Sequence, residues 1–68
     1  MVNTNKLRGL MAEKGRTGID MAKVINKTPK TFYDKMKKGV FDSNEIEAIV
    51  EDLRIDNPED IFFAKNVT

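Results

Sequence analysis

The sequence predicts an all-α fold, a compact bundle of four to five short helices. Five segments begin with residues that cap helices and continue with apolar residues three and four positions apart. Val, Thr and aromatic residues nowhere alternate with polar residues for long enough to form a sheet. Because 68 residues are enough for one small domain only, we expect a single domain over residues 1–68.

The first two predicted helices lie between residues 4 and 26. The first runs from about Thr4 to Lys14 and precedes Gly15, which favours the left-handed backbone that often follows a helix. The second opens at Thr17, whose hydroxyl can cap it, with Asp20 at the spacing of a capping box, and it stops near Asn26. The apolar residues that we expect to face the core are Leu7, Leu10, Met11, Met21, Ala22 and Ile25.

The third predicted helix has the clearest start in the chain. Thr28 occupies the N-cap position and Pro29 the first helical position, where the N–H that proline lacks would have no partner. Phe32 and Met36 lie four residues apart and form the stripe that we expect to be buried. Gly39 ends the helix.

Two more helical segments follow. The fourth begins at Asp42 or Ser43, and Asp42 and Glu45 again have the spacing of a capping box. Asn57 and Pro58 are expected to cap a short last turn. The apolar residues at helical spacing in these two segments are Ile46, Ile49, Val50, Leu53, Ile61, Phe62 and Phe63.

Charge is divided sharply along the chain. Residues 1–41 contain ten Lys and Arg against three acids, whereas residues 42–68 contain two against eight. The formal net charge of +1 therefore combines a half at +7 with a half at −6. A basic surface on a small helical domain is typical of proteins that bind nucleic acid. We expect the acids of the last two segments to form a solvated face directed away from it.

The composition argues against several other classes of protein. The chain has no Cys and no His, which removes disulfides, thiolate metal sites and the commonest general base. We therefore expect no enzyme, no metal, no cofactor and no small-molecule ligand. No apolar run approaches the roughly 20 residues that span a bilayer, and residues 1–9 lack the apolar core of a signal peptide. These observations predict a cytoplasmic protein that contacts no membrane.

The segment over residues 17–39, TGIDMAKVINKTPKTFYDKMKKG, has the features of a helix-turn-helix. Ala22 is small enough for two helices to cross closely, Asn26 allows a tight turn, and Phe32 and Met36 can lock the second helix onto a core. The segment resembles the helix-turn-helix of the lambda repressor/Cro-like (XRE) family. Two later stretches, VFDSNEIEAI over residues 40–49 and DIFFA over residues 60–64, resemble small phage-type members. The resemblance covers about residues 4–64 and implies a five-helix domain that acts as a phage or prophage transcriptional regulator.

Several positions depart from the family pattern. Gly18 stands where the family usually carries a Gln that touches a phosphate, although backbone N–H groups there can still face one. Asn26 replaces the Gly of the turn, and Lys27 replaces a residue that is usually apolar. Residues 37–39 contain one residue more than the commonest form.

The outward residues of the third helix are the candidate DNA contacts. Lys30 can bind guanine or a phosphate, Tyr33 can pack on a thymine methyl or bind a phosphate, and Asp34 can accept a hydrogen bond from cytosine. The alternatives are a solvated lysine, a tyrosine ring resting on a neighbouring helix, and an ion pair of Asp34 with Lys30 or Lys38. The predicted base contacts are Thr28, Pro29, Lys30, Tyr33 and Asp34. The predicted phosphate contacts are Arg16, Thr17, Gly18, Lys27, Thr31, Lys37 and Lys38.

Two functions remain open at this point. The first is a sequence-specific regulator of double-stranded DNA, a Cro-like repressor that reads the major groove with the helix over residues 28–38 and binds as a homodimer. We predict the dimer contact at Phe62 and Phe63, because two adjacent aromatic side chains cannot both point inward from one helical turn. The alternative is a small helical protein-interaction module without sequence-specific DNA binding. The lysines gathered around one capped helix favour the first.

Overall fold

Five α-helices and no β-strand are present in residues 2–63, the part of the chain that this computed structural model describes. The helices are α1 (Thr4–Glu13), α2 (Gly18–Val24), α3 (Pro29–Lys38), α4 (Ser43–Leu53) and α5 (Pro58–Phe62). The radius of gyration, 11.0 Å, is close to the value of about 11 Å for a compact domain of this length. The all-α prediction is confirmed. Residue 64, the last of the DIFFA stretch, lies outside the described range.

Side-chain caps define where α2 and α4 begin. The N–H of Asp20 donates to Thr17 Oγ1 at 3.2 Å, and the N–H of Thr17 donates to Asp20 Oδ2 at 3.0 Å. Asp42 and Glu45 make the same reciprocal pair at the start of α4, at 2.8 and 2.9 Å. Both predicted capping boxes are confirmed, and each satisfies two N–H groups that a helix start leaves without partners.

The starts of α1 and α5 lie at the residues that the sequence predicted, Thr4 and Pro58. Asn3 caps α1 by accepting a hydrogen bond from the N–H of Lys6 at 3.2 Å. At α5, Asn57 occupies the N-cap position and Pro58 the first helical position, as predicted, although the Asn57 side chain makes no capping hydrogen bond within residues 2–63. The start of α5 relies instead on Pro58, whose fixed φ suits the first helical position. None of the five helices has the length and apolar composition that crossing a membrane requires.

The core draws on all five helices and is organised around three aromatic rings. The ring centroid of Phe32, on α3, lies 5.9 Å from that of Phe41, which precedes α4. The Phe41 centroid lies 6.4 Å from that of Phe62, on α5, with the two rings perpendicular. The buried apolar residues are Val2, Leu7, Met11, Met21, Ala22, Ile25, Phe32, Met36, Phe41, Ile49, Leu53, Ile61 and Phe62.

The adjacent aromatic residues at the end of α5 occupy different environments. Phe62 is 2% exposed and Phe63 is 60% exposed. The expectation that only one of them closes the core is therefore confirmed. The prediction of a dimer contact at Phe62 is wrong, because its ring is packed against Phe41 inside the domain. Phe63 remains accessible on the surface.

A tight turn joins α2 to α3, and the two helices pack against each other. Asn26 has φ of 60°, the left-handed conformation predicted for it. The N–H of Lys27 donates to the carbonyl of Ala22 at 2.8 Å and closes the end of α2. Ala22 itself is buried on the face of α2 that meets the core. After α3, Gly39 has φ of 70° and ends the helix as predicted.

Candidate nucleic-acid interface

One stripe of α3 faces solvent along the length of the helix. Its members are three or four residues apart, and they are Lys30, Tyr33, Asp34 and Lys37. The opposite stripe is buried, with Phe32 at 0% and Met36 at 3% exposure. The two faces of α3 are therefore the ones that the sequence predicted.

Two threonine hydroxyl groups at the start of α3 are hydrogen-bonded to each other. Thr28 Oγ1 accepts a hydrogen bond from the N–H of Thr31 at 3.3 Å and donates to Thr31 Oγ1 at 2.9 Å. The Thr28 hydroxyl thus both accepts and donates within the helix start. The Thr31 hydroxyl still has its own proton to donate. Thr31 is therefore suited to an acceptor such as a phosphate oxygen, whereas Thr28 keeps one lone pair and can still accept a hydrogen bond from a base while it caps α3.

Tyr33 extends from α3 across the beginning of α2 and lies directly over Gly18. A Cβ built on Gly18 would lie less than 3.0 Å from Cζ, Oη and Cε1 of Tyr33, closer than real Cβ atoms come to other atoms. The tyrosine ring thus occupies the space that any side chain at position 18 would need. It is still 55% exposed, and its centroid is 5.8 Å from that of Phe32 in an edge-to-face arrangement.

This contact changes the interpretation of both residues. The alternative in which the Tyr33 ring rests on a neighbouring helix is confirmed, and the ring also keeps more than half of its surface open to solvent. Gly18 is buried beneath it. The phenol of Tyr33 therefore reaches the start of α2, where the resembled family places a glutamine side chain.

Arg16, just before α2, forms a forked pair with Asp52 in α4. Arg16 Nε donates to Asp52 Oδ2 at 2.9 Å, and Nη2 donates to Oδ1 at 3.4 Å. The Asp52 carboxylate, through these hydrogen bonds first and its charge second, raises the pKa of Arg16 above its ordinary value. Two of the five guanidinium N–H groups are engaged. Arg16 therefore ties the start of α2 to α4, and we leave it out of the proposed phosphate contacts.

The remaining predicted residues are exposed and accessible. Thr17, Lys27, Pro29 and Lys38 all face solvent, and Thr17 also serves in the capping box of α2. Asp34 makes no ion pair with any residue of the described range 2–63. Of the twelve predicted contacts, only Gly18 is buried.

Lys35 and Glu45 form an interaction that the sequence pattern did not reveal. Lys35 Nζ lies 3.1 Å from Glu45 Oε1 and joins α3 to the start of α4. Glu45 is only 3% exposed, so the expectation that all acids of the last two segments are solvated is wrong for this residue. Glu45 Oε1 also accepts a hydrogen bond from the N–H of Asp42, so the buried carboxylate has two partners. Residues 2–63 contain no cluster of three or more His, Cys, Asp or Glu that could hold a metal ion.

The comparisons with known proteins add no relative. Scans against protein-family models, curated proteins and solved structures found no match to this chain.

Proposed function

We propose that this protein binds double-stranded DNA in a sequence-specific way, with α2 and α3 acting as a helix-turn-helix and α3 entering the major groove. The observation that supports this most is the exposed stripe of α3, which ends in basic residues while its opposite face is fixed in the core. A helix held in this way can insert its polar stripe into a groove without unfolding the domain. In keeping with the resemblance, the regulator is a Cro-like repressor of phage or prophage type.

The residues divide into two roles. Lys30 and Asp34 lie on the central stripe and are the proposed base contacts, since ammonium and carboxylate groups pair with guanine acceptors and the cytosine amino group respectively. The proposed phosphate contacts are Lys27, Thr31 and Lys38, which flank that stripe, and Lys37, which lies at its C-terminal end. Tyr33 lies at the edge of the stripe next to α2, over Gly18, and we propose that it contacts either a thymine methyl or a phosphate.

Two copies bind neighbouring half-sites on opposite sides of a two-fold axis, about one helical turn apart. One short recognition helix touches only a few base pairs, and α3 is the one helix in residues 2–63 that carries such a stripe of lysines. A symmetric pair of sites doubles the sequence that is read. Selected sites without two-fold symmetry would contradict this arrangement.

The test is selection of bound fragments from a randomised duplex library, followed by a titration of affinity against salt. We expect enriched, two-fold symmetric sequences and a log–log salt slope of roughly −3 per subunit, from the three proposed contacts between lysines and phosphates. Lys30→Ala should weaken binding to the selected site. Lys6→Ala removes the same charge from the exposed surface of α1 and is the matched control. No enrichment, or equal losses in the two variants, would contradict the proposal.

A further inference from the structure

A second surface, formed by α4, α5 and the residues just before α4, is an open groove of about 830 Å³. Apolar side chains form its floor and walls, namely Phe41, Ile46, Val50 and Phe63. Phe41 is buried, Ile46 and Val50 are half-buried, and Phe63 stands at the edge with 60% of its surface exposed. The groove therefore offers apolar surface on which a side chain of a partner can pack.

The border of this groove is acidic. Glu47 and Glu51 lie four residues apart on α4, and Asp42 lies at its N-terminal end. All three side chains are exposed. Within residues 2–63 no Lys or Arg forms an ion pair with any of them. The described residues therefore form an apolar floor beside a negatively charged edge.

The negative charge at the edge of the groove determines which kind of partner can bind there. A second copy of the chain, docked groove to groove around a two-fold axis, would bring the acids of both copies together, and like charges across an interface are unfavourable. A partner with apolar side chains flanked by Lys or Arg would bury its apolar residues against Ile46 and Phe63 and neutralise the edge. Amphipathic helices dock in apolar grooves with this pattern of contacts.

We infer that the α4–α5 groove binds a basic amphipathic helix of another protein. The groove shares no residue with the exposed stripe of α3, so the inference does not depend on the proposed binding of DNA. The domain then carries two surfaces of opposite charge that select different partners, one through lysines on α3 and the other through carboxylates on α4.

The probe is a synthetic helix of about 14 residues, or four turns, with Leu at helical spacing on one face and Lys on the other. One control peptide replaces Lys by Glu, and a second replaces Leu by Ala. Binding to the isotopically labelled full chain is followed by amide chemical shifts and by calorimetry at physiological salt, without DNA. We expect the Leu/Lys peptide to shift the signals of Ile46, Val50 and Phe63 while those of Lys30 and Tyr33 stay in place. Neither control peptide should bind.

Variants of the protein locate the site. Glu47→Lys combined with Glu51→Lys should weaken binding of the Leu/Lys peptide roughly tenfold, and Phe63→Ser should weaken it as well. The matched control combines Glu13→Lys with Asp56→Lys, which makes the same change in charge at exposed positions outside the groove. Because the altered side chains are exposed, all variants should keep the helicity and melting temperature of the parent.

Three results would overturn the inference. The first is equal binding of the Leu/Lys peptide to the groove variant and to the control variant. The second is equal affinity for the Leu/Glu peptide, which would remove the argument from charge. The third is sedimentation showing a dimer of the free protein that Phe63→Ser dissociates, because the occupant of the groove would then be a second copy of this chain. DNA binding is measured separately, on the parent and on Lys30→Ala. If the parent does not bind DNA, the three results above still decide whether the groove binds a basic helix.

Discussion

The ammonium of Lys35 lies 3.1 Å from the buried carboxylate of Glu45 and links α3 to the first turn of α4. Glu45 Oε2 has no hydrogen-bond partner in the described part of the chain, so Oε1 makes all of the contacts that compensate for burying this group. Lys35 thus has a structural role, although it stands among lysines that face solvent.

Lys35→Met should destabilise the domain by about 2 kcal/mol, because it leaves a buried carboxylate with one of its two partners. The free energy of unfolding in urea measures this. Lys37→Met removes the same charge from an exposed position of the same helix and should change stability by less than about 0.5 kcal/mol. If Glu45→Gln is added to Lys35→Met, the loss should be partly recovered. Equal stability of the two single variants would contradict the assignment of Lys35.

Gly18→Ala and Gly9→Ala should have opposite effects on stability. An Ala at position 18 collides with the Tyr33 ring, whereas a Cβ at position 9, inside α1, meets nothing within 4 Å. Gly9→Ala should therefore stabilise the domain by roughly 0.5–1 kcal/mol through helix propensity. Gly18→Ala should destabilise the parent and become neutral or favourable once Tyr33→Ala is present. A double-mutant cycle on thermal unfolding measures this coupling, and additive effects would contradict the contact.

Substitutions on the two faces of α3 should have different effects: those on the buried face should change stability, and those on the exposed face should change DNA affinity. Phe32→Ala removes a fully buried ring at a cost of about 3–5 kcal/mol, a large share of what so small a domain has. Lys30→Ala should leave the melting temperature nearly unchanged and weaken specific DNA binding by about 1–3 kcal/mol. Tyr33→Ala should also weaken DNA binding, with a small loss of stability because its ring contacts Phe32 and lies over Gly18. Circular dichroism gives the melting temperature, and binding isotherms on the same samples give the DNA affinity. Normal folding of Phe32→Ala would mean that the faces of α3 are reversed.

The capping box of α2 should make stability depend on pH in the acid range. The backbone N–H of Thr17, and after it the Thr17 hydroxyl, lower the pKa of Asp20 below its ordinary value. A carboxyl whose pKa is lower in the folded state contributes stability above its unfolded pKa of about 3.9, and this contribution is lost as pH falls through the folded pKa. The difference in melting temperature between the parent and Asp20→Asn should therefore narrow as pH falls below about 4. A constant difference down to pH 2 would contradict it.

The sequence predicted features whose causes are local. The starts of α2, α3 and α4 follow from the caps Thr17, Thr28 and Asp42, because a capping side chain bonds a backbone group three residues away. The exposed stripe of α3 follows from helical spacing alone.

Features that depend on which helices meet were not predictable in this way. Arg16 and Asp52 are 36 residues apart, and nothing in the local pattern of either segment selects the other as a partner. The same holds for the contact of Tyr33 with Gly18 and for the burial of Glu45 beside Lys35. In each case the contact depends on how two helices pack against each other. The periodicity of a single helix does not predict that packing.

The contact between Tyr33 and Gly18 restricts how this surface can change. A side chain at position 18 would require the tyrosine ring to swing away, because the tip of the ring lies where the new Cβ would be. The rotamer in which Tyr33 lies over α2 is therefore available only while position 18 is glycine, and the two positions do not vary independently. Libraries that probe this surface should randomise both positions together.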